Sequence, residues 1–116
     1  MKTIATLFLA AAATFAADIT GTWYFAVDLS IGSGSPTLVL KQEGNKVTGT
    51  YSGTIGEAKV TGTVDGDKVE LTADAEAAGE KVKIVYSGVL KTPTTMEGRT
   101  TYGNLGSGTF TAKKKE

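Results

Sequence analysis

From Thr22 to Ala112, apolar and polar residues alternate with a period of two. That period belongs to strands with one covered face. Trp23, Phe25, Val27 and Leu29 share one side of a first strand, and Tyr24, Ala26 and Asp28 take the other. Ser33-Gly34-Ser35-Pro36 breaks the pattern. Leu38 and Leu40 mark a second strand that ends at Glu43-Gly44-Asn45-Lys46, a hairpin turn.

The stretch Val47 to Gly66 then repeats itself. Val47, Thr48, Gly49, Thr50 and Gly53 recur as Val60, Thr61, Gly62, Thr63 and Gly66, an offset of thirteen. Such a unit is one short strand plus one tight turn, a hairpin arm. The arms put Val47, Gly49 and Tyr51 inward, then Val60, Gly62 and Val64. After Asp65-Gly66-Asp67 come the inward rows Val69, Leu71, Ala73 and Val82, Ile84, Tyr86, Gly88, Leu90. Thr92-Pro93-Thr94 turns the chain into Met96, Gly98 and Thr100, and Phe110 and Ala112 belong to the last strand. Ala77-Ala78-Gly79-Glu80 reads as another turn. Asp74 to Glu80 alternatively fits one helical turn, because Ala and Glu form helices well.

Eight strands joined by short connections predict an all-β fold, an antiparallel up-and-down meander. With one apolar face and no helix to cover it, the sheet must curl onto itself. Eight strands close into a barrel that holds side chains or one small ligand. Inward glycines suit that closure, relieving crowding where strands bend. A two-sheet sandwich is the alternative, but the long crossover loops it needs are missing.

The first segment stands apart from this pattern. Lys2, the apolar run Ile4 to Ala13 and the small residues of Thr14-Phe15-Ala16 form a secretory signal, with cleavage expected after Ala16. The run is too short to span a bilayer. No cysteine follows it to carry a lipid, so no membrane anchor is expected. The organisation is then residues 1–16 as signal and 17–116 as one barrel domain, secreted or periplasmic. Cleavage removes Lys2 from the 12 basic side chains and leaves the 12 acidic ones in excess by one. That balance gives no reason to expect nucleic acid as a partner. Lys113-Lys114-Lys115 reads as a solvated end. With no cysteine in the chain, no disulfide supports the fold and the core must hold it alone.

Gly21-Thr22-Trp23-Tyr24 at the start of the first strand, followed by Thr48-Gly49-Thr50-Tyr51, resembles the avidin and streptavidin pattern. The G-x-W start also resembles the wider lipocalin-type barrels. That resemblance implies a Trp plugging the closed end with a basic residue packed on it. Trp23 matches the plug, and Lys113 or Arg99 the cation, through a cation–π contact. The biotin site does not carry over. Tyr51 falls at a tyrosine of that pattern, but Gly53 replaces its serine, and Phe25 and Leu29 replace its polar residues. Trp23 is the only Trp. The elements Gly21–Trp23, the internal repeat and Gly106-Ser107-Gly108-Thr109-Phe110-Thr111-Ala112 together resemble small secreted bacterial domains, a likeness that implies no particular activity.

A meander sends alternate turns to opposite ends. One end collects tight charged turns with Trp23 and both termini of the mature chain. The other collects Ser30–Ser35, Gly53–Glu57, Ala77–Glu80 and Tyr102–Gly106, with Ile31, Ile55 and Leu105 near the tips. Ligand mouths sit where loops are long. The three apolar tips can seal the barrel, form a ligand lid or offer a surface to a partner, including a second copy of the chain. Tyr51, Tyr86 and Tyr102 are the inward residues with a polar handle, and a buried phenol needs a hydrogen-bond partner. They either bond loop backbone or orient a small amphiphile above an apolar floor that includes Phe25.

Catalytic chemistry is poorly supplied. The chain has no His and no Cys, which removes Ser–His, Cys–His and His-ligated zinc chemistry. Asp65 and Asp67 lie in a tight turn, short of the ligand count of a calcium loop. Glu70, Asp74 and Glu76 fall on an outward, solvated face. The expectation is therefore a non-enzymatic barrel with no metal and no cofactor. It takes a small hydrophobic or amphiphilic ligand, or else acts as an interaction module through its outer face or loop tips, as a homo-oligomer.

Overall fold

The computed structural model describes residues 18–77 and 79–115. The export signal assigned to residues 1–16 lies outside the described residues. Nine strands follow in order: β1 Gly21–Leu29, β2 Gly32–Gly34, β3 Thr37–Glu43, β4 Lys46–Gly53, β5 Gly56–Asp65, β6 Lys68–Ala77, β7 Glu80–Thr92, β8 Thr95–Tyr102 and β9 Gly106–Lys114. β2 and β3 both pair antiparallel with β1, each later strand pairs antiparallel with the one before it, and β1 pairs with β9 from Trp23↔Lys114 to Leu29↔Gly108. That last pairing closes the sheet into a barrel and leaves no long edge exposed.

The nine strands make eight staves, because β2 and β3 are one stave interrupted at Ser35-Pro36. Val27↔Gly34 on β2 and Tyr24↔Thr37 on β3 lie in the same register against β1. Proline has no N–H to give the ladder, yet its carbonyl still accepts from the Phe25 amide at 2.9 Å. The chain thus bends at Pro36 without leaving the sheet. The loop expected at Ser30–Ser35 is in fact a two-residue turn, Ser30-Ile31, followed by strand.

Alternation along the staves builds the core. Trp23, Phe25, Leu38, Val47, Tyr51, Val60, Leu71, Ile84, Tyr86, Met96 and Phe110 are all buried. Their neighbours in sequence, such as Tyr24, Thr48, Glu70 and Thr111, face outward. The stretch Asp74–Ala77 continues β6 opposite Glu80–Lys83 rather than forming a helical turn. Ala75 is buried there: tertiary pairing with a long β7 overrides the helical preference of Ala and Glu.

The closed end is built around Trp23, whose indole Nε1 donates to the carbonyl of Ile19 at 2.9 Å. Ile19 is fully buried, and its own amide donates to Gln42 Oε1 at 2.9 Å. The segment before β1 therefore crosses the end of the barrel and caps the tryptophan. Lys113, expected against this plug, lies on the outer face opposite Tyr24 and is exposed, as is Arg99. Side chains alternate along β9, so the lysine on the inward row is Lys114. It is half-buried beside Gly21, and its Nζ donates to the Asp18 carbonyl at 3.3 Å.

Candidate functional site

At the end opposite Trp23, the two- and three-residue turns Ser30-Ile31, Thr54-Ile55 and Gly103–Leu105 rise around a cup of about 160 Å³. Val27, Leu29, Ile31, Pro36, Ile55 and Leu105 form its apolar wall, and the phenols of Tyr51 and Tyr102 supply polar atoms at depth. The short β2 strand, Gly32–Gly34, forms one side, with small Gly and Ser residues that let the main chain border the space. None of the lining residues is charged.

Local geometry explains why this end stays open. Beyond Thr37↔Ser52, β3 and β4 separate, and among the described strands β2 pairs with β1 alone. A gap in the wall results between β2 and the β4–β5 hairpin. Pro36 is buried at its base. The Tyr51 hydroxyl reaches over Gly53, where a Cβ would lie 2.5 Å from the phenolic oxygen, 2.8 Å from the ring carbon that bears it and 3.1 Å from the Pro36 side chain. Gly53 thus leaves the room that the Tyr51 ring occupies.

Below the cup the barrel is packed with rings. Phe25 lies 4.8 Å from Tyr86 and 5.2 Å from Phe110, centroid to centroid, and Tyr86 lies 5.2 Å from Phe110. Aromatic contacts of this kind are worth about 0.5–1.5 kcal/mol each beyond the area they bury. The Tyr86 and Tyr102 hydroxyls share a hydrogen bond of 2.5 Å. Tyr51 interacts with the same Tyr102 phenol. Burial pushes the Tyr86 phenol well above the usual tyrosine range, and its bond to Tyr102 adds to the effect. Burial acts the same way on Tyr51, with the neighbouring Tyr102 second. Tyr51 and Tyr86 therefore act as neutral hydrogen-bonding groups.

Of the residues singled out in the sequence, Tyr51, Tyr102, Ile31, Ile55 and Leu105 come together around the cup. Phe25 and Tyr86 belong to the packed layer below it and do not line it. Tyr86 and Tyr102 find their hydrogen-bond partners in each other rather than in loop backbone. The apolar tips do not seal the barrel: Ile31 is 64% exposed and Leu105 42%, while Ile55 leans on the core. Val27, Leu29 and Pro36 join the wall without a signal in sequence that marks them as cup residues. The alternation marks the first two as inward, but only the stagger of the staves decides whether an inward residue sits in the core or at the rim.

No protein family profile matches the chain, and no curated protein matches it in sequence. Solved structures do share its fold. A redesigned β-barrel, b11L5F_LGL, superposes with a TM-score of 0.70 at 18% identity, covering 91% of this chain and 96% of its own. Two further redesigned barrels, mFAP0 and mFAP1, each solved bound to DFHBI, superpose with TM-scores of 0.61. They are 15% and 14% identical and cover 83% and 84% of this chain and 98% and 94% of their own.

Proposed function

We propose that the protein is an exported, non-enzymatic β-barrel that carries one small apolar or amphiphilic molecule in the cup at its open end. The observation that carries this reading is the cup itself, an uncharged apolar wall over two phenols, one of which, Tyr102, is hydrogen-bonded to the buried Tyr86. Its volume of about 160 Å³ is below that of drug-sized sites. It matches an engineered apolar cavity of about 150 Å³ that takes benzene. The occupant is therefore of single-ring size. Two barrels of the same fold are known with DFHBI bound, which supports the capacity of this architecture for a small molecule. Export rests on Lys2, the Ile4–Ala13 run and the small residues before Ala17, and the lack of His and Cys supports a role without catalysis.

Native mass spectrometry of the chain from Ala17, purified from its own host's exported fraction, tests this. The expected result is a barrel that retains a small-molecule mass, and that loses it when Ile31, Ile55 and Leu105 are replaced together by Ser. A bare monomer that takes up nothing from a cell extract overturns the reading. A bare oligomer would instead favour a module that associates through its loop tips, a second reading supported by the exposure of Ile31 and Leu105.

A further inference from the structure

At the cup end, the stave formed by β2 and β3 is paired along one side only. Main-chain groups alternate between the two sides of a strand. Pro36 faces β1, since its carbonyl accepts from the Phe25 amide, and Gly34 faces β1 in the same register. The N–H and C=O groups of Ser33 and Ser35 therefore point the other way, toward the place where β4 would continue. Extending the register Thr37↔Ser52 would set Ser35 opposite Thr54. Thr54 has instead turned away with Ile55, and among the described residues neither serine has a main-chain partner on that side.

A bare strand edge is a template for another strand. Here it adjoins the cup, whose lining includes Ser33, Gly34 and Ser35. Gly34 lies between the two serines on the inward row, and open space surrounds the position of its missing Cβ. In a strand added antiparallel at Ser33 and Ser35, the residue opposite Gly34 turns its side chain to the same face as Gly34. That side chain enters the cup. The volume of about 160 Å³ suits one phenyl ring, and the uncharged lining excludes an ionised side chain. The residues on either side of the ring face outward, where polar side chains are at home. The space also belongs to a single strand. Beyond it stands the β4–β5 hairpin, paired as far as Gly53↔Gly56. A second barrel would bring its own β1 and β3 onto that hairpin, whereas a lone extended segment brings no neighbours.

We propose that the cup end captures an extended peptide segment by strand addition to the β2 edge, with one aromatic side chain seated in the cup. This rests on the reading of the cup as a ligand site and names the amphiphile: an apolar ring carried on peptide main chain, in the order polar, aromatic, polar. A free aromatic hydrocarbon fills the same cup but leaves Ser33 and Ser35 to water.

The test is an NMR titration of the chain from Ala17 with acetyl-Thr-Phe-Thr-N-methylamide. It is read at the Ile31, Ile55 and Leu105 methyls and at the Ser33 and Ser35 amides, and both sets are expected to shift with one affinity. N-Methylation of the two Thr nitrogens removes the donors that face β2 and should weaken binding at least about ten-fold. N-Methylation of the Phe nitrogen, which faces away from β2, should leave the affinity within about three-fold. Gly34→Leu places a side chain in the cup from the β2 stave itself and should abolish peptide binding, in a barrel whose spectrum stays dispersed. Equal affinity for the two methylated peptides, or a greater loss on methylating Phe, overturns the strand pairing. If the Ser33 and Ser35 amides shift on raising the protein concentration alone, the edge pairs with a second copy and the assignment fails. Toluene is titrated alongside. If it moves the cup methyls and the peptide does not, the cup is a small-molecule site and the peptide assignment is wrong. If neither moves them, the ligand site and the assignment fall together.

Discussion

The indole nitrogen of Trp23 donates to the carbonyl oxygen of Ile19 across four residues, and both side chains are fully buried. The hydrogen bond ties the segment before β1 across the barrel end and satisfies the polar atom of the only Trp in the chain. Burying Ile19 completes a plug that Lys114 borders through its bond to Asp18. This end is a structural lid.

Ile19→Ala is therefore expected to cost about 2–5 kcal/mol, as for a large aliphatic side chain removed from a packed core. Trp23→Phe loses volume and leaves the Ile19 carbonyl without its donor, for about 1–3 kcal/mol. Lys113→Ala, on the outer face, should change stability by less than about 0.5 kcal/mol. Urea unfolding of the three variants measures this order. Equal losses for Ile19 and Lys113 would show that the segment before β1 does not hold the barrel shut.

The inward glycines separate just as sharply. A Cβ on Gly49, Gly98 or Gly108 would overlap the carbonyl oxygen of Val39, Ser87 or Asp28 on the adjacent strand. Alanine at any one of the three should cost about 3 kcal/mol or more, because backbone cannot move aside as a side chain does. Gly34 has open space where its Cβ would be. Gly34→Ala should be neutral or stabilising by up to about 1 kcal/mol, through a less flexible unfolded chain. Thermal unfolding of Gly98→Ala beside Gly34→Ala decides the matter. A tolerated Gly98→Ala would mean that the strands are not held as close as the register requires.

The barrel is legible in the sequence because every stave has an apolar inward row, and a period of two leaves no second way to turn it. The tyrosine row and the apolar tips were legible for a topological reason: a meander delivers Ile31, Ile55 and Leu105 to one end. What could not be read has local causes. Lys113 is a different case: the period of two through Phe110 and Ala112 already points to Lys114 as the inward lysine, and only the resemblance favours Lys113. Pro36 looks like a terminator, because a missing N–H is visible in sequence and a carbonyl that still serves Phe25 is not. Ile19 stands alone between polar residues, outside any periodic stretch, and only the Trp23 bond reveals its place.

Alkaline pH should unfold the protein through its phenols. Tyr51 and Tyr86 are raised above the ordinary tyrosine value of 10.0, mainly by burial. In the unfolded chain they ionise near that value, while in the barrel they keep their protons. Above pH 10 the unfolded state therefore binds fewer protons than the native one, and stability falls as pH rises. Below that pH both states are protonated and the contribution is constant. Tyrosinate absorbance for these two residues should appear only together with loss of β-sheet circular dichroism. Tyr86→Phe should flatten the alkaline decline, and an unchanged slope in that variant would place the responsible ionisation elsewhere.

Thr100 offers a test of opposite sign. Its side chain is 2% exposed, and its hydroxyl has no hydrogen-bond partner among the described residues. A buried hydroxyl that gives up water and gains no protein partner costs about 1–3 kcal/mol. Valine has nearly the same shape and no polar atom. Thr100→Val should consequently raise stability by about 1 kcal/mol or more, measured as a higher urea midpoint with an unchanged slope. Thr100 makes no bond to a tyrosine hydroxyl, so the variant should bind the same ligands as the parent barrel. A loss of stability in Thr100→Val would mean that the hydroxyl is satisfied in solution and that the layer around Tyr86 is wetter than its packing implies.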